Sequence, residues 1–480
     1  MPLPSTNLIQ APYLSLRFSF KNIIISTLVF LFTLQILYIF RQSVGVFFND
    51  NIYQLLSLIV IVLVGIWGGR LAERVGQDPM LGMLFSGLLL RNLFPSFIYP
   101  IPHSWTSILW TTALCSVISR AGLSLMLPKV IPNVWESLFL GTVPVLAEAI
   151  MLALMTSVVF HLPLPWAFTL SFGVSTISPG VVVPLLLRLI DNGWGKSRLP
   201  PMLLTGLGLD VLVGTAGFGI SLASCFGHKH EQDHPELWFH NSWVGRCLEE
   251  IGMGLFLGTT FGFVSFVLLK SKRISGRVLS MVMFVVSTVT MIWCKTHGFT
   301  GSASFSTFIT WSIIANTWPQ NYIEKSDIRL KKLWLFFKPF LFPVIGATVS
   351  LGDTPISLLL KSFSIVLVSV TVKMSATYIT ATAAGLSDAE AMFVCGLWSG
   401  KASIQATLCE SALEMVHKYK LEGTEEEEYA KIVFLCMVSA IVIGAPSASN
   451  WVLIYGKNPL GEETANPIMK AEGTSEQVDI

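Results

Sequence analysis

Asp210 lies near the middle of a hydrophobic stretch, MLLTGLGLDVLVGTAGFGISLASCF, spanning 202–226. A carboxylate in hydrocarbon carries a desolvation cost that sequences retain chiefly at functional sites. Burial favours the protonated form of a carboxylate, whereas a cation bound in the proton's place favours the charged form. One group that holds either a proton or a sodium-sized cation couples the two fluxes, provided that its site opens alternately to each side of a membrane. The hydroxyls of Thr176 and Ser178, together with carbonyls freed from interrupted helices, are expected to complete an oxygen shell suited to a hard cation.

Other charged residues occur at similar depth. Glu148 sits in GTVPVLAEAIMLAL and Lys373 in VLVSVTVKMSATYI. An acid and a base in corresponding spans are expected to form an ion pair, which offsets much of their desolvation; the alternative is that each snorkels to an interface. Lys401 follows Ser399 and Gly400, and at that depth it either stays neutral or balances the negative end of a helix. Arg120 lies nearer a span end and reads as structural.

The elements that must position these groups are membrane spans. Apolar residues make up 52% of the 480 and charged residues 12%, and mean hydropathy is +0.66. This is the composition of an all-α polytopic membrane protein. Net charge is only +2, which gives no basic field for nucleic acid. The seven cysteines lie in or beside apolar segments without CxxC spacing and read as buried side chains.

With about 20 residues per crossing, fourteen spans are expected, at 22–42, 53–70, 79–96, 105–127, 137–160, 165–189, 200–226, 243–270, 276–295, 301–317, 332–352, 358–385, 390–413 and 429–456. The third and tenth are the weakest of these spans. About twice as many Lys and Arg fall in segments that are inside if the N-terminus is cytosolic, so both termini are expected there. The expected domains are a cytosolic segment 1–21, a transmembrane domain 22–456 and a polar cytosolic tail 457–480. No cleaved secretory signal is visible.

Two sets of seven spans, about 22–226 and 243–456, would cross the membrane in opposite senses, the inverted-repeat plan of many secondary transporters. The sixth span of each set is interrupted. Ser178, Pro179, Gly180 and Pro184 break WAFTLSFGVSTISPGVVVPLLLRLI, and Ser399 and Gly400 break FVCGLWSGKASIQATL. Backbone groups freed at such breaks are satisfied only against protein or in a cavity. A kink packed by neighbours is the alternative for either span taken alone.

At these residues the chain resembles the NHA branch of the monovalent cation:proton antiporters. The resemblance rests on PMLGMLFSGLLLRN (79–92), SRAGLSL (119–125), STISPGVVVP (175–184), GLGLDVLVGTAGF (206–218), PFLFPVIGATVSL (339–351) and LWSGKASIQA (397–406). It implies a dimerisation domain and a transport core, a homodimer in lipid, elevator-like alternating access and a Glu148–Lys373 ion pair. The substrates it implies are protons and a monovalent cation, sodium or lithium, with no cofactor. Two positions depart from the family pattern. Asp210-Val211 stands where relatives carry Asp-Asp or Asn-Asp, and Thr348 where relatives carry an acid.

No nucleotide-binding loop, zinc-protease motif or nucleophile elbow is present, which argues against an enzyme or an ATP-driven pump. The leading expectation is a secondary exchanger of cation against proton, electroneutral because it has one carboxylate, in the plasma membrane or an organelle membrane. A transport-deficient relative with a structural or regulatory role is the alternative that Val211 raises, and a transporter of organic solutes is a third. Glu425 to Glu428 are expected to complement a helix N-terminus. The histidines His228, His230, His234 and His240 share one external loop and read as ordinary loop residues.

Overall fold

Where lipid offers no hydrogen-bond partner, an apolar chain satisfies its backbone by forming helices. The computed structural model describes residues 50–95, 101, 103–125, 134–191, 199–226, 243–271 and 276–455, and every regular element among them is helical. The expected span at 22–42, the segment 1–21, the loop histidines His228, His230, His234 and His240, and the tail 457–480 lie outside the described residues.

In chain order the helices are α1 (Asp50–Arg74), α2 (Pro79–Leu93), α3 (His103–Ser124), α4 (Val134–Val159), α5 (Leu164–Ser175), α6 (Pro179–Asp191), α7 (Leu199–Cys225) and α8 (Trp243–Lys270). They continue with α9 (Gly276–Thr296), α10 (Thr300–Thr317), α11 (Gln320–Thr348), α12 (Ile356–Ala383), α13 (Asp388–Trp398), α14 (Ser403–Leu408), α15 (Ser411–Lys418) and α16 (Glu425–Tyr455). Eight segments among the described residues are long and apolar enough to cross a membrane: Tyr53–Arg74, Val134–Val159, Leu164–Leu186, Leu199–Cys225, Gly245–Lys270, Gly276–Thr296, Ile356–Ala383 and Glu425–Trp451. The protein is therefore a polytopic helical membrane protein.

The chain forms two compact units, Met1–Pro102 with Phe342–Asp353, and His103–Leu341 with Thr354–Ile480. In the first, α1 and α2 pack through small residues. A Cβ added at Gly82 would fall 2.3 Å from the carbonyl oxygen of Gly68, so only glycine permits this approach. Asn92 ties α2 to the chain beyond α11, donating to the Val349 carbonyl at 3.0 Å and accepting from the Leu351 N–H at 2.8 Å.

In the second unit, α4, α5, α7 and α12 pack together, and α10 is enclosed by α3, α7, α8 and α9. That enclosure explains why α10 is weakly apolar in sequence: it meets protein rather than lipid. Its buried hydroxyls turn back onto their own helix, Thr307 to the Ala303 carbonyl at 3.0 Å and Ser312 to that of Phe308 at 2.8 Å. Helix α11 begins at Gln320, well before the expected span, because its first turns have polar partners. Asp327 accepts from Arg120 of α3 at 2.7 Å, and Arg329 donates to Ser280 of α9 at 2.8 Å. The acidic run opens α16, as its charge and position led one to expect.

Candidate functional site

Pro179 has no N–H, and its ring disfavours helical geometry at the residue before it. Helix α5 therefore stops at Ser175, Thr176 is extended at φ −63 and ψ 132, and α6 starts with Pro179 at its first position. The gap is Thr176–Ser178. Pro179, Gly180 and Pro184, which the sequence placed in the break, belong to α6, because a proline opening a helix lacks only an N–H that would be unpaired anyway. The second gap runs over 399–402, between the end of α13 and Ser403 of α14.

The two gaps meet. The Ser178 N–H donates to the Gly400 carbonyl at 2.9 Å. The Ser403 N–H donates to Ser178 Oγ at 2.8 Å, the Gly180 N–H donates to Ser403 Oγ at 3.2 Å, and the two hydroxyls lie 2.7 Å apart. Each gap thus caps the helix that leaves the other, satisfying N–H groups that have no intrahelical partner.

The carbonyl end of α5 is capped by side chains. Gln405 Nε2 reaches the carbonyls of Gly173 at 3.0 Å, Val174 at 3.3 Å and Thr176 at 2.7 Å. Lys401 Nζ lies 2.8 Å from the Val174 carbonyl, and Lys373 Nζ donates to that of Ser175. Two ammonium groups and an amide thereby gather at the negative end of one helix.

Both ammonium groups also meet carboxylates. Lys401 Nζ is 2.9 Å from Glu148 Oε2, and Lys373 Nζ is 2.8 Å from Asp210 Oδ2 and 3.7 Å from Glu148 Oε2. Ser369 donates to Glu148 Oε1 at 3.1 Å, and the Ile177 N–H donates to Asp210 Oδ1 at 2.7 Å. All four charged residues are fully buried. Two acids and two bases in their charged forms leave the cluster neutral, the condition under which such burial is tolerable.

One expectation gains partners and one changes. Glu148 and Lys373 lie within ion-pair range, but the shorter contacts run from Lys401 to Glu148 and from Lys373 to Asp210. The carbonyls of α5 decide this, since Val174 and Ser175 each hold one ammonium group beside a different acid. The hydroxyls of Thr176 and Ser178 do not face Asp210. Thr176 Oγ1 closes onto the Phe172 carbonyl at 2.6 Å and Ser178 Oγ is engaged with Ser403, so the group that reaches Asp210 is the Ile177 N–H. Gln405 was not singled out by sequence; its signal is a lone amide in an apolar span.

Helix α7 is continuous through Asp210 and Val211, and both are buried. Adjacent helical residues project about 100° apart, so Val211 faces a different neighbour. One turn on, Gly214 lies against the first gap: an added Cβ would fall 1.9 Å from Thr176 Oγ1. Gly214→Ala is expected to cost about 1–3 kcal/mol by overpacking, read as a lower unfolding midpoint in detergent. The double variant Gly214→Ala/Thr176→Ala should recover only part of the loss, because Thr176 Cβ, 2.8 Å from the added Cβ, remains; a double variant as stable as the native protein would place the strain on the Thr176 atoms beyond Cβ alone.

A second polar cluster lies beyond the apolar part of the thirteenth expected span. Glu414 of α15 meets Lys295 of α9 at 2.9 Å and accepts from Ser107 of α3. Burial opposes its charge, but Lys295 and then Ser107 outweigh it, so the carboxyl is held below its ordinary value. In a third cluster, Glu250 of α8 accepts from the N–H and hydroxyl of Ser302, both at 2.7 Å, with Arg246 at 3.9 Å.

Residues 58–448 match the family model described as "Sodium/hydrogen exchanger, transmembrane". Sodium/hydrogen exchanger 9B1 of Homo sapiens is 28% identical over 418 residues, covering 85% of this chain and 78% of that protein. Sodium/hydrogen exchanger 9B2 of Homo sapiens is 28% identical over 440 residues, covering 88% and 79%. Among solved structures, the sodium proton antiporter MjNhaP1 from Methanocaldococcus jannaschii at pH 8 has a similar fold, with a TM-score of 0.58 at 12% identity over 86% of this chain and 100% of that one. With the family model matched over most of the chain's length, the chain belongs to the sodium/hydrogen exchanger family.

Proposed function

We propose that the protein is a secondary antiporter that exchanges sodium or lithium for protons by alternating access, with Asp210 as the group for which they compete. The observation that carries this reading is the position of Lys373 Nζ, which sits between Asp210 Oδ2 and the Ser175 carbonyl. A monovalent cation taking the place of that ammonium group would meet the same oxygens, which are ligands that hard cations accept. The ammonium group can turn to Glu148, 3.7 Å away; a proton on Asp210 or a cation beside it then leaves the cluster with the same charge, so one proton moves per cation and the exchange is electroneutral. Two inverted repeats, 22–226 and 243–456, are the frame we assign to this movement, in a homodimer with both termini cytosolic.

Val211 supports a second reading, a relative that keeps the fold without transport, because the helix is not rewound to bring another carboxylate to the site. One assay separates the two. Purified protein in liposomes carrying an internal pH dye should move protons when sodium or lithium is added outside, without generating a current. Native protein with no flux, and flux gained in Val211→Asp, would identify the transport-deficient relative instead.

A further inference from the structure

The Thr176–Ile177 peptide is held at both ends. Gln405 Nε2 donates to its carbonyl oxygen at 2.7 Å, and its N–H donates to Asp210 Oδ1 at 2.7 Å. A single peptide unit therefore joins the amide of Gln405 to the carboxylate of Asp210, and hydrogen bonds linked in this way polarise one another. We propose that Gln405 is a positioning residue of the exchange site, fixing this peptide so that its N–H is aimed at Asp210 and favours the charged, cation-binding carboxylate. This rests on the exchange activity proposed above.

Three observations support the assignment. First, the amide orientation is determined: Nε2 faces three carbonyl oxygens, and the flipped amide would set an acceptor against acceptors. Second, Gln405 is fully buried and its own Oε1 has no hydrogen-bond partner. An unmet buried acceptor is unfavourable, so the position is not explained by what the oxygen gains. Third, Gln405 caps without charge. Lys401 and Lys373, which cap the neighbouring carbonyls, already balance Glu148 and Asp210, and a third ammonium group would upset that neutrality.

The charged groups around Asp210 are Lys373 of α12, Glu148 of α4 and Lys401 of the second gap. Of the other helices packed on α7, α5 and α10 carry no charged residue and α6 shows no charged side chain among the described ones. Arg120 of α3 is engaged with Asp327, and Arg246, Glu249 and Glu250 of α8 form their own cluster. Among the described residues, nothing else on these elements donates an N–H to Asp210 in the way the peptide does.

Gln405→Met, near-isosteric and without N–H groups, tests this in the liposome assay. The N–H bond to Asp210 becomes less well held, so the proton competes better. Half-maximal exchange should move to higher pH by about one unit, and the sodium concentration for half-maximal rate at fixed pH should rise about tenfold, the same factor for one competing proton. The maximal rate at alkaline pH should change little. Gln405→His, which restores an N–H donor, should move both values back. Should Gln405→Met fail to fold, Gln405→Asn, which withdraws the amide by one methylene, is read the same way. A lower maximal rate with an unmoved pH profile would mean a purely structural role and overturn the proposal. Sodium- or lithium-induced stabilisation in detergent is measured in parallel. Native protein lacking both flux and stabilisation overturns the exchange reading and this one together, whereas an active native protein with an unshifted variant overturns this one alone.

Discussion

Asp210→Asn is expected to reduce sodium-dependent proton movement by at least about 100-fold, the factor carried by about 2.7 kcal/mol. The substitution preserves shape. The side-chain oxygen can still accept from the Ile177 N–H, but the amide nitrogen now faces Lys373 Nζ, which lay 2.8 Å from Oδ2. The cluster then holds two bases and one acid, so Lys373 turns toward Glu148, which is already 3.7 Å away, or loses its charge. Either outcome leaves no anionic oxygen at position 210 to receive a cation, and Glu148 stays engaged with Lys401. The measurement is the pH-dye flux at matched protein content, and activity above about a tenth of native would remove Asp210 from the role, since tenfold corresponds to only about 1.4 kcal/mol.

Lys401→Met is expected to destabilise the fold by about 3–5 kcal/mol, the range for breaking a buried pair from one side. Glu148 loses its partner at 2.9 Å and retains Ser369 at 3.1 Å and Lys373 at 3.7 Å. The Val174 carbonyl keeps only the 3.3 Å contact to Gln405. The double variant Glu148→Gln/Lys401→Met leaves no uncompensated charge and should unfold at a higher temperature than the single variant. Equal midpoints for the two would show that the cost arises from the gap backbone rather than from the ion pair.

The sequence made the membrane class and the two interruptions legible for physical reasons. Apolar stretches of bilayer length have few other uses, and Ser178-Pro179-Gly180 and Ser399-Gly400 combine residues that end helices. What it hid is how side chains divide among partners. Pairing by depth joined Glu148 to Lys373, but depth along a span does not reveal that the Val174 and Ser175 carbonyls place the two lysines beside different acids. Thr176 and Ser178 were read as ligands by side-chain chemistry alone, whereas a β-branched hydroxyl closes readily on its own helix and a serine at a gap serves as a cap. Gln405 gave no periodic or charged signal, because an amide that caps carbonyls is distinguished only by what lies opposite it. The weak apolarity of α10 was visible, but its cause, enclosure by four other helices, is tertiary.

The interlock of the two gaps has a mechanical consequence. A helical residue advances about 1.5 Å along its axis, so sliding either interrupted span by even one residue would break the bonds joining Ser178, Gly180, Gly400 and Ser403. The crossing therefore behaves as a rivet, and any displacement of one span drags the other with it. Compliance must lie where the riveted pieces join the rest of the chain. Left-handed residues occur there: His161 at φ 54 just before α5, Gly385 at φ 75 just before α13, and Lys420 at φ 54 and Gly423 at φ 79 after α15. A stiff centre with articulated corners transmits a push at one corner to both interrupted spans at once.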